Sequence, residues 1–196
     1  PPMMPGCQTT SLWSTGASAS STYGGSYSPN RAEGRPTHPD GCSIVNNRCL
    51  GGSWMPESRG ENIHTLTLTY EKALYPRSVR VWEHACGRGP PGFVIKIEMF
   101  EDSGKAHIYW EKGQENIDDD DNTPCGGVFE RAISPFPSYP AKKVKLYTKT
   151  KSNSLEMVDA VQLSGSELNC DEDTGLVLPY PPPFPPAAPP EPPEPP

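Results

Sequence analysis

From residue 65 onward the chain alternates apolar and polar positions in short runs. "TLTLTY" (65–70) sets Leu66, Leu68 and Tyr70 against threonines at period two, the pattern of a half-buried antiparallel strand. "SVRVWEH" (78–84) places Val79, Val81 and Glu83 on one face and Trp82 on the other. "GFVIKIEMFED" (92–102) is an apolar, β-branched run interrupted by Lys96 and Glu98 and closed by the turn residues "DSG". "KAHIYWEKG" (105–113), "GVFERAI" (127–133), "KKVKLYTK" (142–149) and "MVDAVQLSG" (157–165) follow. The breakers "GRGPPG", "DDDDNTPCGG" and "SPFPSYP" lie between the runs. No window sustains a helical period, so the pattern predicts an all-β domain of short strands, a sandwich or jelly roll. Trp82 and Trp110, both inside strand runs, are expected in the core.

The first sixty residues carry no such pattern. They are rich in Ser, Gly, Asn and Pro, with aromatics at Trp13, Tyr23, Tyr27 and Trp54, and read as long loops of the kind that carry binding surfaces in some β-sandwiches. The other end is "LVLPYPPPFPPAAPPEPPEPP" (176–196). Proline fixes φ and offers no N–H, so this run reads as an extended polyproline II helix that cannot join a core. At roughly 3.1 Å per residue, Pro179 to Pro196 would reach about 55 Å. A disordered tail and a ligand for a proline-binding domain are alternatives to a spacer; an extracellular setting favours the spacer. The expected organisation is a linker end at 1–6, a β-sandwich at 7–175 and a polyproline II shaft at 176–196.

Composition narrows the partners. The net charge of −7 leaves no basic surface for phosphate contacts, which argues against nucleic acid. No apolar stretch approaches the roughly 18 residues of a bilayer span, and no direct membrane insertion is expected. No leader pattern opens the chain, which reads as a mature segment or a module between proline-rich linkers. Six cysteines, at 7, 42, 49, 86, 125 and 170, form no CxxC pair. The histidines do not cluster either, and zinc chemistry wants close ligand pairs, so disulfides and an oxidising compartment are expected. Of fifteen connectivities for six cysteines, spacing favours Cys42–Cys49 around "SIVNNR" and Cys86–Cys125 between two strand ends, which leaves Cys7 with Cys170 across the domain termini.

"GASASSTYGGSYSPNRAEG" (16–34) resembles the opening of discoidin-type domains, the coagulation-factor C-type, galactose-binding-like jelly rolls. "LTLTYEKALYPRSVRVWEH", "PPGFVIKIEMF" and "EMVDAVQLSG" continue the likeness in order, so that it covers roughly residues 11 to 165 and resembles modules of extracellular proteins of green algae and bacteria. The proline-rich flanks resemble the hydroxyproline-rich shafts of volvocine algal cell-wall and flagellar-surface glycoproteins. The resemblance implies an eight-stranded jelly roll with ligand-binding loops at one end, often for sugars, and a structural calcium at its side. Carried over, the calcium turn falls at Asn30 to Thr37, with Glu33 and Thr37 as oxygen donors and Asp159 as the late-strand carboxylate. Here the usual Asp-Gly of that turn is Glu33-Gly34, and Pro36 follows.

Candidate chemistry follows from these segments. Trp54, between "GGS" and "MPES", is expected to be exposed and, with Tyr27, to stack on sugar rings; Arg31, His38 and Asn47 would supply hydrogen bonds. The acidic run at 118–121 reads as a solvated loop more readily than as a second calcium site. No HExxH or GxSxG motif occurs, and the four histidines fall at unrelated spacings, with His84 and His107 expected as satisfied strand residues. The sequence therefore predicts a non-catalytic extracellular recognition or assembly module on a polyproline shaft. Its partners would be cell-wall or matrix glycans, other glycoproteins or copies of itself. The alternative is a calcium-dependent, lectin-like module appended to a secreted metalloprotease or glycosidase.

Overall fold

In a computed structural model, the described residues are 7–38, 44–45, 48–49, 52–57, 62–87, 94–112, 126–133, 137–149, 154–171 and 176–179. Their strands are β1 (Thr10–Ala19), β2 (Ile44–Val45), β3 (Arg48–Cys49), β4 (Ile63–Gly87), β5 (Val94–Phe100), β6 (Ala106–Glu111), β7 (Gly126–Ala132), β8 (Ala141–Lys149) and β9 (Ser154–Ser166). All named pairings are antiparallel. The predicted all-β class holds.

The architecture turns on β4, which the hydropathy pattern divides in two and the chain builds as one strand of 25 residues. Its first part pairs with β8 from Ile63 to Leu74 and with β1; its second part pairs with β9 from Tyr75 and with β7 from Ser78. The register shifts between Thr69 and Leu74 and between Pro76 and Ser78 mark where it leaves one ladder for the other. Pro76, which cannot donate to a ladder, sits at this crossing. Strand β1 changes partner in the same way. Thr10–Trp13 pair with β9, and after an irregularity between Ser14 and Gly16 the strand continues beside β4. β1 lies in the segment from which the pattern predicts loops, because its Ser- and Gly-rich sequence has no simple alternation.

The inner faces meet in one core. Leu66, Leu68, Ile97, Met99, Val144 and Leu146 from one ladder pack with Val79, Val81, Phe129, Val161 and Leu163 from the other. Trp110 joins them as expected, 5% exposed. Trp82 does not: alternation that sends Val79 and Val81 inward turns it to the outer face, half-buried, where its ring lies 5.0 Å from that of Trp13.

A disulfide joins Cys7 to Cys170 with Cα atoms 5.7 Å apart, closing the domain at its ends, the pair that the other two expected bridges leave over. Just beyond it the chain folds back. Val177 bridges Cys170, Asp171 N–H donates to Leu176 O, and Leu178 N–H donates to Asn169 O. The base of the proline-rich segment is thus fastened beside the disulfide. Cys42, Cys125, Asn47, the acidic run at 118–121 and residues 180–196 lie outside the described residues. Ile44 pairs with Cys49, and His84 pairs with Gly126, the residue after Cys125 and two positions from Cys86 along β4.

Candidate functional site

Residues 20–38 link β1 to the rest of the chain without forming a strand, yet they are tightly held. Ser20 N–H donates to Thr65 O, Tyr23 N–H to Met55 O, Met55 N–H to Tyr27 O, and Gly34 N–H to Ser14 O. The buried Ser14 hydroxyl donates to Ala32 O at 2.9 Å. Ser21 Oγ lies 2.7 Å from His64 Nδ1. Two short 3-10 turns, Gly25–Tyr27 and Pro29–Ala32, shape the middle of the segment, the second entered through proline near its first position. These bonds satisfy backbone groups that a loop otherwise leaves to water, so the segment is a fixed surface.

On that surface Tyr23 stands 55% exposed. Its ring meets Tyr27 edge-on, with centroids 5.9 Å apart, and Tyr27 in turn packs on Met55 and Met157. The two tyrosines therefore divide the work: Tyr27, half-buried, props up Tyr23, which faces solvent. Arg31 is exposed on the second 3-10 turn.

Trp54, the residue expected to stack on a ligand, is fully buried. Its backbone forms a two-way bridge with Val158, N–H to O at 2.8 Å and O from N–H at 2.9 Å. Its indole N–H donates to Ser21 O at 3.0 Å. A partner 104 positions away in sequence turns this loop tryptophan into core, so Trp54 is a structural residue that braces the 20–38 segment from beneath.

A second feature gathers around Asp159, wholly buried on β9. Thr37 Oγ1 donates to Asp159 Oδ1 at 2.6 Å, His38 N–H donates to Oδ2 at 2.9 Å, and Ser53 Oγ reaches Oδ1 at 3.4 Å. The His84 imidazole, wholly buried on β4, brings Nε2 to 3.3 Å from Oδ2; His38 Nδ1 lies 4.0 Å from the same oxygen. The two imidazoles meet edge-on at 5.5 Å. Burial alone would push the Asp159 carboxyl up, but bonds from His84, the Thr37 hydroxyl and the His38 amide outweigh it and hold the group below the ordinary aspartate range. Gly52, with φ +123°, closes over the cluster: a Cβ there would stand 3.1 Å from Thr37 Oγ1 and 3.3 Å from His38 Cε1.

Of the residues carried over for calcium, Thr37 and Asp159 are joined by a hydrogen bond. The Glu33 N–H closes the preceding turn onto Asn30 O. Calcium takes six to eight oxygens. The groups gathered at Asp159 are one carboxylate, two hydroxyls, an amide N–H and two imidazoles. Among the described residues, the groups touching Asp159 offer fewer oxygens than calcium takes, and two nitrogens beside them. His38, expected to flank a ligand, belongs instead to this cluster, and His84, read from the sequence only as a satisfied strand histidine, joins it, because strand periodicity shows which face a residue takes, not what crosses to meet it.

The sequence matches no protein-family model and no curated protein. Solved structures do match. CBM32-3 from a family 31 glycoside hydrolase of Clostridium perfringens superposes with a TM-score of 0.52 at 10% identity, over 79% of this chain and 91% of that one. CBM32-1 from a family 31 glycoside hydrolase of the same organism gives 0.51 at 12% identity, over 77% and 95%. Reduced XRCC1, solved bound to the DNA polymerase β catalytic domain, gives 0.52 at 12% identity, over 79% and 97%. Likenesses at this identity show the fold, and the fold is the discoidin-like jelly roll.

Proposed function

We propose that the chain is a non-catalytic recognition module that binds carbohydrate through the surface of residues 20–38. The observation that carries this reading is Tyr23: a largely exposed ring, propped edge-on by Tyr27, on a segment whose backbone is bonded into the sandwich. An aromatic face fixed in advance can stack on the C–H face of a sugar without losing the ordering entropy that a mobile loop would. Arg31 on the adjoining turn supplies hydrogen-bond donors. Two matching folds are CBM32 modules, which supports the same ligand class.

The disulfide supports an extracellular setting, where such bonds persist. The finer reading places the module in a cell-wall, matrix or flagellar-surface glycoprotein, on a polyproline shaft whose base is tied down at residues 169–178. A module delivered by a secreted enzyme would use the same face. Assembly with another protein is a second reading, favoured by the half-buried Trp13–Trp82 pair on the outer face beside the exposed Val128. XRCC1, of the same fold, was solved bound to a protein.

A glycan array probed with the non-reduced protein tests the proposal. A defined subset of glycans should bind, and Tyr23→Ala should weaken that binding about tenfold or more, the equivalent of ~1.4 kcal/mol, with melting unchanged. Binding to no glycan, or equal binding by Tyr23→Ala, would overturn it.

A further inference from the structure

We infer that His38, His84 and Asp159 form a binding site for a borderline divalent cation of the zinc type. Their donor atoms, two imidazole nitrogens and a carboxylate oxygen, all lie within 4.8 Å of one another. Tetrahedral zinc with bonds of about 2.0–2.1 Å sets its ligands roughly 3.3 Å apart. His84 Nε2 and Asp159 Oδ2 already stand at 3.3 Å, and His38 Nδ1 is 4.0 Å from that oxygen. His84 and Asp159 sit on paired strands and are wholly buried, so two ligands are fixed by the sheet. His38 is on the loop, its side chain 21% exposed, so it is the ligand with room to adjust.

The surroundings resemble those of a metal ligand. Thr37 and Ser53 hydroxyls occupy Asp159 Oδ1 and the His38 amide approaches Oδ2, which orients the carboxylate as outer-shell bonds do around ligating groups. Thr37 Oγ1 also lies 2.9 Å from His38 Nδ1. Imidazole and carboxylate together suit zinc, copper or nickel, whereas calcium and magnesium favour oxygen. An ion held here would pin the end of the 20–38 segment to β4 and β9, and the inference does not depend on what that segment binds.

The test is calorimetric titration of chelator-treated, non-reduced full chain with zinc, and separately with calcium and magnesium, followed by visible spectroscopy with cobalt(II). Zinc should bind at one equivalent, calcium and magnesium should not compete, and cobalt should show the intense bands of a tetrahedral site. His38→Gln and Asp159→Asn should each weaken zinc at least tenfold; His107→Gln should not. His38→Gln serves as the key variant because its partly exposed ring can be lost without opening the core, and its melting without metal should match the parent protein. No stoichiometric zinc binding, zinc binding insensitive to His38→Gln, or calcium binding at the same site would each overturn the inference.

Discussion

Gly165 lies where β9 passes the bend of β4, opposite Pro76, and no side chain fits there. A Cβ built on it would stand 2.2 Å from Tyr75 O, 2.9 Å from Tyr75 C and 3.2 Å from Leu74 Cβ. Two of these are backbone atoms, which cannot swing aside as a flexible side chain could. Ordinary contact needs 3.4 Å or more, so Gly165→Ala must push β9 and β4 apart by about 1 Å at the point where the two ladders join. Overpacking of this kind costs about 1–3 kcal/mol, and the backbone contact argues for the upper end. For a domain of this size each kcal/mol lowers Tm by about 2–4 °C, giving a drop of roughly 6–12 °C for 3 kcal/mol. Gly16→Ala is the matched control. It too is a strand glycine, but its Cβ would meet only Thr69 Cβ at 3.8 Å, so it should melt within about 2 °C of the parent or slightly above, since alanine restricts the unfolded chain. The assay is thermal unfolding of both variants, non-reduced, by circular dichroism. Equal melting of the two would refute the bend geometry, because only the space at residue 165 separates the predictions.

Cys7→Ala combined with Cys170→Ala removes a crosslink spanning 163 residues; loop-closure entropy puts the loss at about 5 kcal/mol, or roughly 10–20 °C in Tm, and a shift under about 2 °C would contradict it. Trp54→Ala should cost about 3–5 kcal/mol in denaturant unfolding, whereas an exposed binding residue would leave stability unchanged. Glu101 is held below the ordinary glutamate value, chiefly by the hydrogen bond with His107 Nε2 at 2.6 Å, against burial and with help from Ser103. A depressed folded pKa gives stability that is present above the unfolded value and lost as pH falls through the folded one. The advantage of the parent protein over Glu101→Gln in urea should therefore shrink as pH falls below the ordinary glutamate value of 4.5, and an advantage that grew with acid would reverse the assignment.

Strands β4, β5 and β8 were legible because each keeps one face in the core over several residues, which writes period two into the sequence. Strand β1 was hidden from that pattern. It serves β9 with one half and β4 with the other, and its exposure along "TSLWSTGASA" follows neither period cleanly. Trp54 misled for a related reason: the sequence shows no strand pattern around it, and its burial depends on Val158. The pairing of Thr37 with Asp159, 122 positions apart, was reachable only through resemblance to a known domain. The place of His84 in that cluster was not reachable at all, because a register shift between Trp82 and Glu83 decides what the end of β4 faces. Tyr23 and Tyr27 were both visible as loop aromatics, but which is exposed depends on Met55 and Met157 beneath them.

The central claim is that Tyr23 on the fixed 20–38 surface recognises carbohydrate. Its most direct test is the melting temperature of the non-reduced chain, parent and Tyr23→Ala, with each oligosaccharide of a cell-wall and matrix panel at saturation. A ligand at about 100 times its Kd adds ~2.7 kcal/mol, so the parent should rise by about 5–10 °C with at least one sugar while Tyr23→Ala stays flat. A parent protein that melts at the same temperature with every sugar, or a variant that rises in step with it, would contradict the account.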